Sequence, residues 1–175
     1  MKKLISAICI LTMIVSTATM VSAAGYSTEA NINVITEIKN TIISGDTSVY
    51  TNVGAAADDV TYQGVNVVSG SMIGGNLKFG SNAVLIGDNV TSAQINAISN
   101  AIVNGDIVLA NNSQIIGRNI NLADVNSVKS AIVRGDIDIR NIVQTYGGYD
   151  SLSVVIEQAL DNTISGGLGV VNYVN

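Results

Sequence analysis

The sequence predicts a repeat solenoid: five coils of about 30 residues with stacked parallel β-strands, one side of each coil being helical or irregular. Three observations predict it. Ile43-Ser44-Gly45-Asp46 returns as Ile73-Gly74-Gly75-Asn76, Val103-Asn104-Gly105-Asp106 and Val133-Arg134-Gly135-Asp136, each 30 residues on, and Ile164-Ser165-Gly166-Gly167 follows one residue late. Aliphatic columns keep the same period. The repeat runs through the first four units without a gap.

The chain opens on a different pattern. Lys2 and Lys3 precede an apolar run from Leu4 to Val15, and Val21-Ser22-Ala23 supplies small residues before Ala24. This reads as an export signal over residues 1–23, of bacterial type, with cleavage before Ala24. The apolar run is short for a membrane span, so no span is expected once the signal is gone. The expected location is secreted, extracellular or at the cell surface. Residues 24–175 are then one repeat domain, with units 31–60, 61–90, 91–120, 121–150 and 151–175.

Without the signal the chain keeps six basic residues against 13 acidic ones, a formal charge of −7. That balance argues against nucleic acid and anionic membrane as partners. The single cysteine, Cys9, lies in the signal, so disulfides are excluded and stability must come from a core. Val and Ile are plentiful enough to build one.

Each unit divides into three segments. In the first, Ile95, Ile98 and Ile102, or Val125, Val128 and Ile132, recur at i, i+3 and i+7, the spacing of a helix face. Ser92 and Asp124 stand where N-caps belong, and residues 151–160 form the most helix-like copy. The second segment alternates, as in residues 106–109 and 136–139, and reads as a strand. The third, residues 114–120, is β-branched around Gly117 and reads as a bent strand. Because the first segment is rich in middling or poor helix formers, a pure parallel β-solenoid is the competing reading. Stacked columns are expected to face inward. They are Ile35, Val65, Ile95, Val125 and Val155; Ile38, Val68, Ile98 and Val128; Ile42, Met72, Ile102 and Ile132; and Val49, Phe79, Leu109 and Ile139.

Residues 120–136, with Asn121, Asp124, Val125, Val128, Lys129, Ile132 and the Gly135-Asp136 step, resemble the helical half of a type I dockerin repeat. Residues 90–106 are similar in a looser way. The resemblance implies a module that docks on cohesin partners and holds calcium. The chain departs from the family at the calcium loop, where Ser113, Ile115 and Gly117 replace the oxygen ligands, as do Ala83, Leu85 and Gly87 one unit earlier. The pieces Ile86-Gly87-Asp88-Asn89-Val90 and Ile116-Gly117-Arg118-Asn119-Ile120 are similar to turns of polymer-forming β-solenoids such as bactofilins.

The chain has no histidine, which excludes His-based nucleophilic catalysis and, with no cysteine outside the signal, the common zinc sites. Carboxylates are the remaining route to chemistry. Asp106, Asp136 and Asp138 are the candidate acids of a carbohydrate-active solenoid, and calcium bridging Asp106 and Asp136 is the one metal option left open. The column Asp46, Asn76, Asp106, Asp136 also suits turn capping by side-chain oxygens. Tyr146 and Tyr149 form a candidate contact surface for a glycan. The expected function is a non-catalytic structural or surface protein, partnered by itself or by another extracellular protein or glycan. Alternatives are a binding module and a carbohydrate-active enzyme.

Overall fold

The computed structural model describes residues 13–22 and 29–175. It is a parallel β-solenoid of about five turns with no helix among the described residues. Each coil has a long strand, a short strand and a second long strand. The first long strands are β2 (Glu29–Lys39), β5 (Asp59–Ser69), β8 (Asn89–Ser99), β11 (Asn119–Val133) and β13 (Ser151–Ile164). The short ones are β3 (Ile42–Ile43), β6 (Met72–Ile73) and β9 (Ile102–Val103), which the ends of β11 and β13 continue. The second long strands are β4 (Thr47–Ala56), β7 (Leu77–Ile86), β10 (Ile107–Ile116), β12 (Ile137–Tyr146) and β14 (Leu168–Val174).

Like strands stack on like, all parallel, in two facing sheets. One runs β2-β5-β8-β11-β13, with the short strands as its second arm. The other runs β4-β7-β10-β12-β14, and β1 (Met13–Ser22) adds to its open side along β4. Of the residues read as a signal, 13–22 are therefore paired strand, while Lys2, Lys3, Cys9 and Ala23 lie outside the described residues.

The helical side expected for each coil is corrected to strand. In β8 the side chains that turn inward are Val90, Ser92, Gln94, Asn96 and Ile98, a strict period of two. Three of these five are polar, so hydropathy alone hides the alternation. Ile95 and Ile102, which gave the helical spacing, point outward and are only half-buried. Ser92 and Asp124 are fully buried strand residues instead of caps.

Two of the aliphatic columns are accordingly not core. Ile35 is 58% exposed and Ile42 is 79% exposed. The other two are core throughout: Ile38, Val68, Ile98 and Val128, and Val49, Phe79, Leu109 and Ile139. The last unit also shifts. Two extra residues enter around 147–150, so Glu157 rather than Val155 stacks on Val125, and a bulge between Lys129 and Ala131 removes one of them again.

The corners explain the conserved spacing of small and polar residues along the chain. Asn40, Gly70, Asn100 and Ser130 all have positive φ, between 49° and 60°, at one corner of successive coils. Glycine and asparagine enter this region most readily. At the next corner a Cβ on Gly135 would stand 2.7 Å from the carbonyl oxygen of Gly105 below, so only hydrogen fits.

Two hydrophobic clusters fill the interior. One lies toward the Gly-Asp corner and holds Phe79, Ile98, Leu109, Val128 and Ile139. The other lies toward the opposite corner and holds Tyr62, Leu85, Ile115, Ile120 and Leu122. Each fully buried aliphatic or aromatic side chain contributes about 1.5–3 kcal/mol.

Candidate functional site

Between the two clusters runs a seam of buried amides. Asn66 Nδ2 donates to Asn96 Oδ1 at 2.9 Å. Asn96 Nδ2 in turn donates to Asn126 Oδ1 on the coil above and to Asn111 Oδ1 on the facing sheet, both at 2.9 Å. Asn126 and Asn111 then donate to Asn141 Oδ1 at 2.9 and 3.3 Å. Asn141 donates to Asn172 at 2.8 Å, and Gln158 reaches the same oxygen at 3.1 Å. Amide ladders of this kind arise wherever identical side chains stack at strand spacing, about 4.8 Å. Here they also tie the two sheets together. In the first coil Thr36 and Thr51 occupy the same two columns.

The seam fixes sheet-to-sheet register. A slip by one residue would turn the amides out of the interior, and a slip by two would set amides such as Asn96 where Ile98 now packs; each buried unpaired amide group costs about 1–3 kcal/mol. Sequence reading missed this seam because Asn was counted as surface. The signal that finds it is the recurrence of Asn66, Asn96 and Asn126 at 30 residues, with Asn111 and Asn141 midway.

Beside the seam, Asp124 is completely buried on β11. Neither carboxylate oxygen has a hydrogen-bond partner, nor does Oε1 of Gln94, its register neighbour on β8. Burial pushes the Asp124 carboxyl up to about 7. A protonated carboxyl has one O–H to give, and Gln94 Oε1 is an acceptor without a donor. The amide of Gln94 already donates to Ser113 Oγ at 2.5 Å.

The candidate acids lie on the exposed corner. Asp106 Oδ1 accepts the Asp136 backbone N–H at 2.9 Å, and Asp136 Oδ1 accepts that of Gly167 at 2.6 Å. Asp46 and Asn76 do the same for the coils above them, at 2.7 and 2.9 Å. Asp138 is held by Arg140, whose Nη2 lies 2.6 Å from Oδ2. These side chains make the turns. Among the described residues no three His, Cys, Asp or Glu side chains gather as a metal site.

An open groove of about 880 Å³ follows the other corner, lined by Asp58, Gly87, Asp88, Gly117, Arg118 and Gly147. Its charged groups are strung one per coil. Tyr146 and Tyr149, the candidate glycan surface, are exposed near its end at 49% and 40%.

Among the described residues, nothing stacks on the outer side of the last coil. Leu152, Val170, Val171 and Val174 are 42–54% exposed, and half-buried Val154, Ile156 and Leu160 form the outermost layer of the core among the described residues. The backbone edges of β13 and β14 end their sheets.

Comparison with protein-family models, curated proteins and solved structures finds no match to this chain. The stretch that resembles the helical half of a dockerin, residues 120–136, is strand over Asn119–Val133.

Proposed function

We propose that this chain is a non-catalytic, exported structural protein that self-assembles into a surface or matrix material. The observation that carries the reading is the final described coil, on whose two sheet edges and core cross-section no described residue stacks. Unpaired edges of this length are templates for pairing, and proteins that remain monomeric blunt them with charge, proline or a covering element. Strands β13 and β14 carry only Glu157 and Asp161 as charges and have no proline. The acids that offered an enzymatic alternative are engaged in turns and an ion pair, which supports a structural role over catalysis.

The test is to express the full chain in an exporting bacterial host, recover the processed protein, and follow it by light scattering and electron microscopy. Growth into fibres or sheets is expected. A protein that stays monomeric at high concentration would remove the proposal. A glycan-binding reading draws on exposed Tyr146 and Tyr149. It predicts that Tyr146→Ala lowers retention on a polysaccharide column, and unchanged retention ends it.

A further inference from the structure

We infer that copies join head to tail, the last coil of one (β13 and β14) stacking on the first coil of the next (β2 and β4) in the register that the internal ladders prescribe, once Met13–Ser22 has left the edge of β4. The inference rests on the self-assembly reading above and names its partner and its geometry.

The register follows from the ladders by one further step. Every column can be traced from the last coil back to the first, so the residue of β2 or β4 that would receive each residue of β13 or β14 is determined. Val154 falls on Ile32, Leu160 on Ile38 and Val170 on Val49, each apolar on apolar. The polar seam also continues, because Gln158 falls on Thr36 and Asn172 on Thr51. Amides therefore meet hydroxyls, which both donate and accept.

Charge fits this direction as well. Asp161 falls on Lys39, the one basic residue of β2. Within the chain Asp161 already has Lys129 as its register partner on β11, so the junction would place lysines on both sides of it. At the junction Lys39 also has Glu37, now 2.9 Å from it, as a neighbour. Opposite charges directly across strands stabilise a pair, whereas like charges oppose it.

The edge of β4 is not free in this chain. Met13–Ser22 pairs with all ten residues from Thr47 to Ala56, parallel and in continuous register. It takes the place that β14 of a second copy would fill. The segment read as an export signal is thus also the occupant of the assembly edge, and its removal exposes one whole side of the joint.

Charge reversal and cross-linking test the joint in the exported, processed protein. Lys39→Glu and Asp161→Lys each should slow elongation several-fold, and the double variant should recover most of the wild-type rate. In the second arm Val171 falls on Tyr50, so Val171→Cys with Tyr50→Cys should give a ladder of disulfide-linked multimers. Neighbouring strand positions satisfy the Cα separation a disulfide needs. Tyr173→Cys with Tyr50→Cys, displaced by two residues, should not. Wild-type protein that never assembles overturns this joint together with the self-assembly reading. Assembly in which the charge pair shows no rescue, or in which the displaced cysteines link equally well, overturns the joint alone. Fibres whose chains still carry residues 13–22 by mass spectrometry overturn the release of β1.

Discussion

Asp124 sits directly beside Gln94 in the ladder between β11 and β8, and three oxygens on these two side chains lack a donor. One proton on Asp124 supplies it. The other titratable group that feels this carboxyl is buried Tyr62, whose hydroxyl is pushed up by desolvation, against the opposing hydrogen bond with Ser81, with Asp124 adding to the rise. The charged residues on the flanking strand β13, Glu157 and Asp161, are exposed. No cation faces Asp124 among the described residues of its column, Val34, Gly64, Gln94 and Ile156.

Stability should therefore fall as pH rises. The folded-state value, about 7, lies above the ordinary 3.8, so between these limits the folded chain holds a proton that the unfolded chain releases. The contribution is complete below pH 3.8, declines up to about 7 and is then gone. Its span is on the order of 4 kcal/mol. Urea unfolding from pH 3.5 to 8 measures it. Asp124→Asn, which keeps a donor for Gln94 without a charge, should remove most of the slope.

Asn96 is the branch point of the seam, donating along its own sheet and across to the other. Asn96→Leu leaves the Asn66 amide without its acceptor and takes a donor from Asn111 and Asn126. A loss of about 3 kcal/mol or more is expected. Asn82, which accepts from Asn112 in a half-buried outer ladder, is the comparison: Asn82→Ala should cost less than about 1 kcal/mol. Denaturant midpoints of the two variants decide this, and equal losses would deny the seam its role.

Gly135→Ala tests the corner. Its methyl group would meet the Gly105 carbonyl and the Asp106 carboxylate, and neither the backbone nor the turn-making side chain can withdraw freely. A loss of roughly 2 kcal/mol is expected. Gly148, at whose Cβ position there is open space, should tolerate alanine with little change in thermal midpoint.

Asp136→Ala removes the acceptor of the Gly167 N–H. At this exposed corner water replaces the bond, so a cost of about 1 kcal/mol is expected, read as a lowered unfolding midpoint. Asp136→Asn should restore most of it, since its carbonyl oxygen accepts the same hydrogen. Asparagine already serves in this way at Asn76.

The period and the corners were readable because they rest on residues with one use each. Gly75, Gly105 and Gly135 admit no side chain, and Asp46, Asp106 and Asp136 cap the turns beside them. The long strands of the first sheet misled because both faces carry apolar residues while the inner face carries amides. Ile95 looked like core and is half outside, whereas Asn96 looked like surface and is wholly inside. Burial of an amide depends on a partner 15 or 30 residues away, which local periodicity does not register. Asp124, whose position in sequence suits a helix cap, is buried in a strand for the same reason. The register of the last unit was hidden by the two residues inserted around 147–150 and by the bulge after Lys129, because Val155 continues an aliphatic column in sequence but not in space.

The constant 30-residue step between the first four coils makes that part of the chain a ruler. There every strand pairing joins a residue to its counterpart 30 residues away, and the bonds between the sheets stay within a coil, so no contact depends on how many repeats there are in all. Deleting residues 91–120 would bring β11 onto β5 with Asn126 on Asn66, leaving the seam and the turn ladder closed and the rod shorter by one strand spacing, about 4.8 Å. Duplicating the same segment would lengthen it by as much. In such a molecule length is inherited as a count of repeats, and can change without redesign of the core.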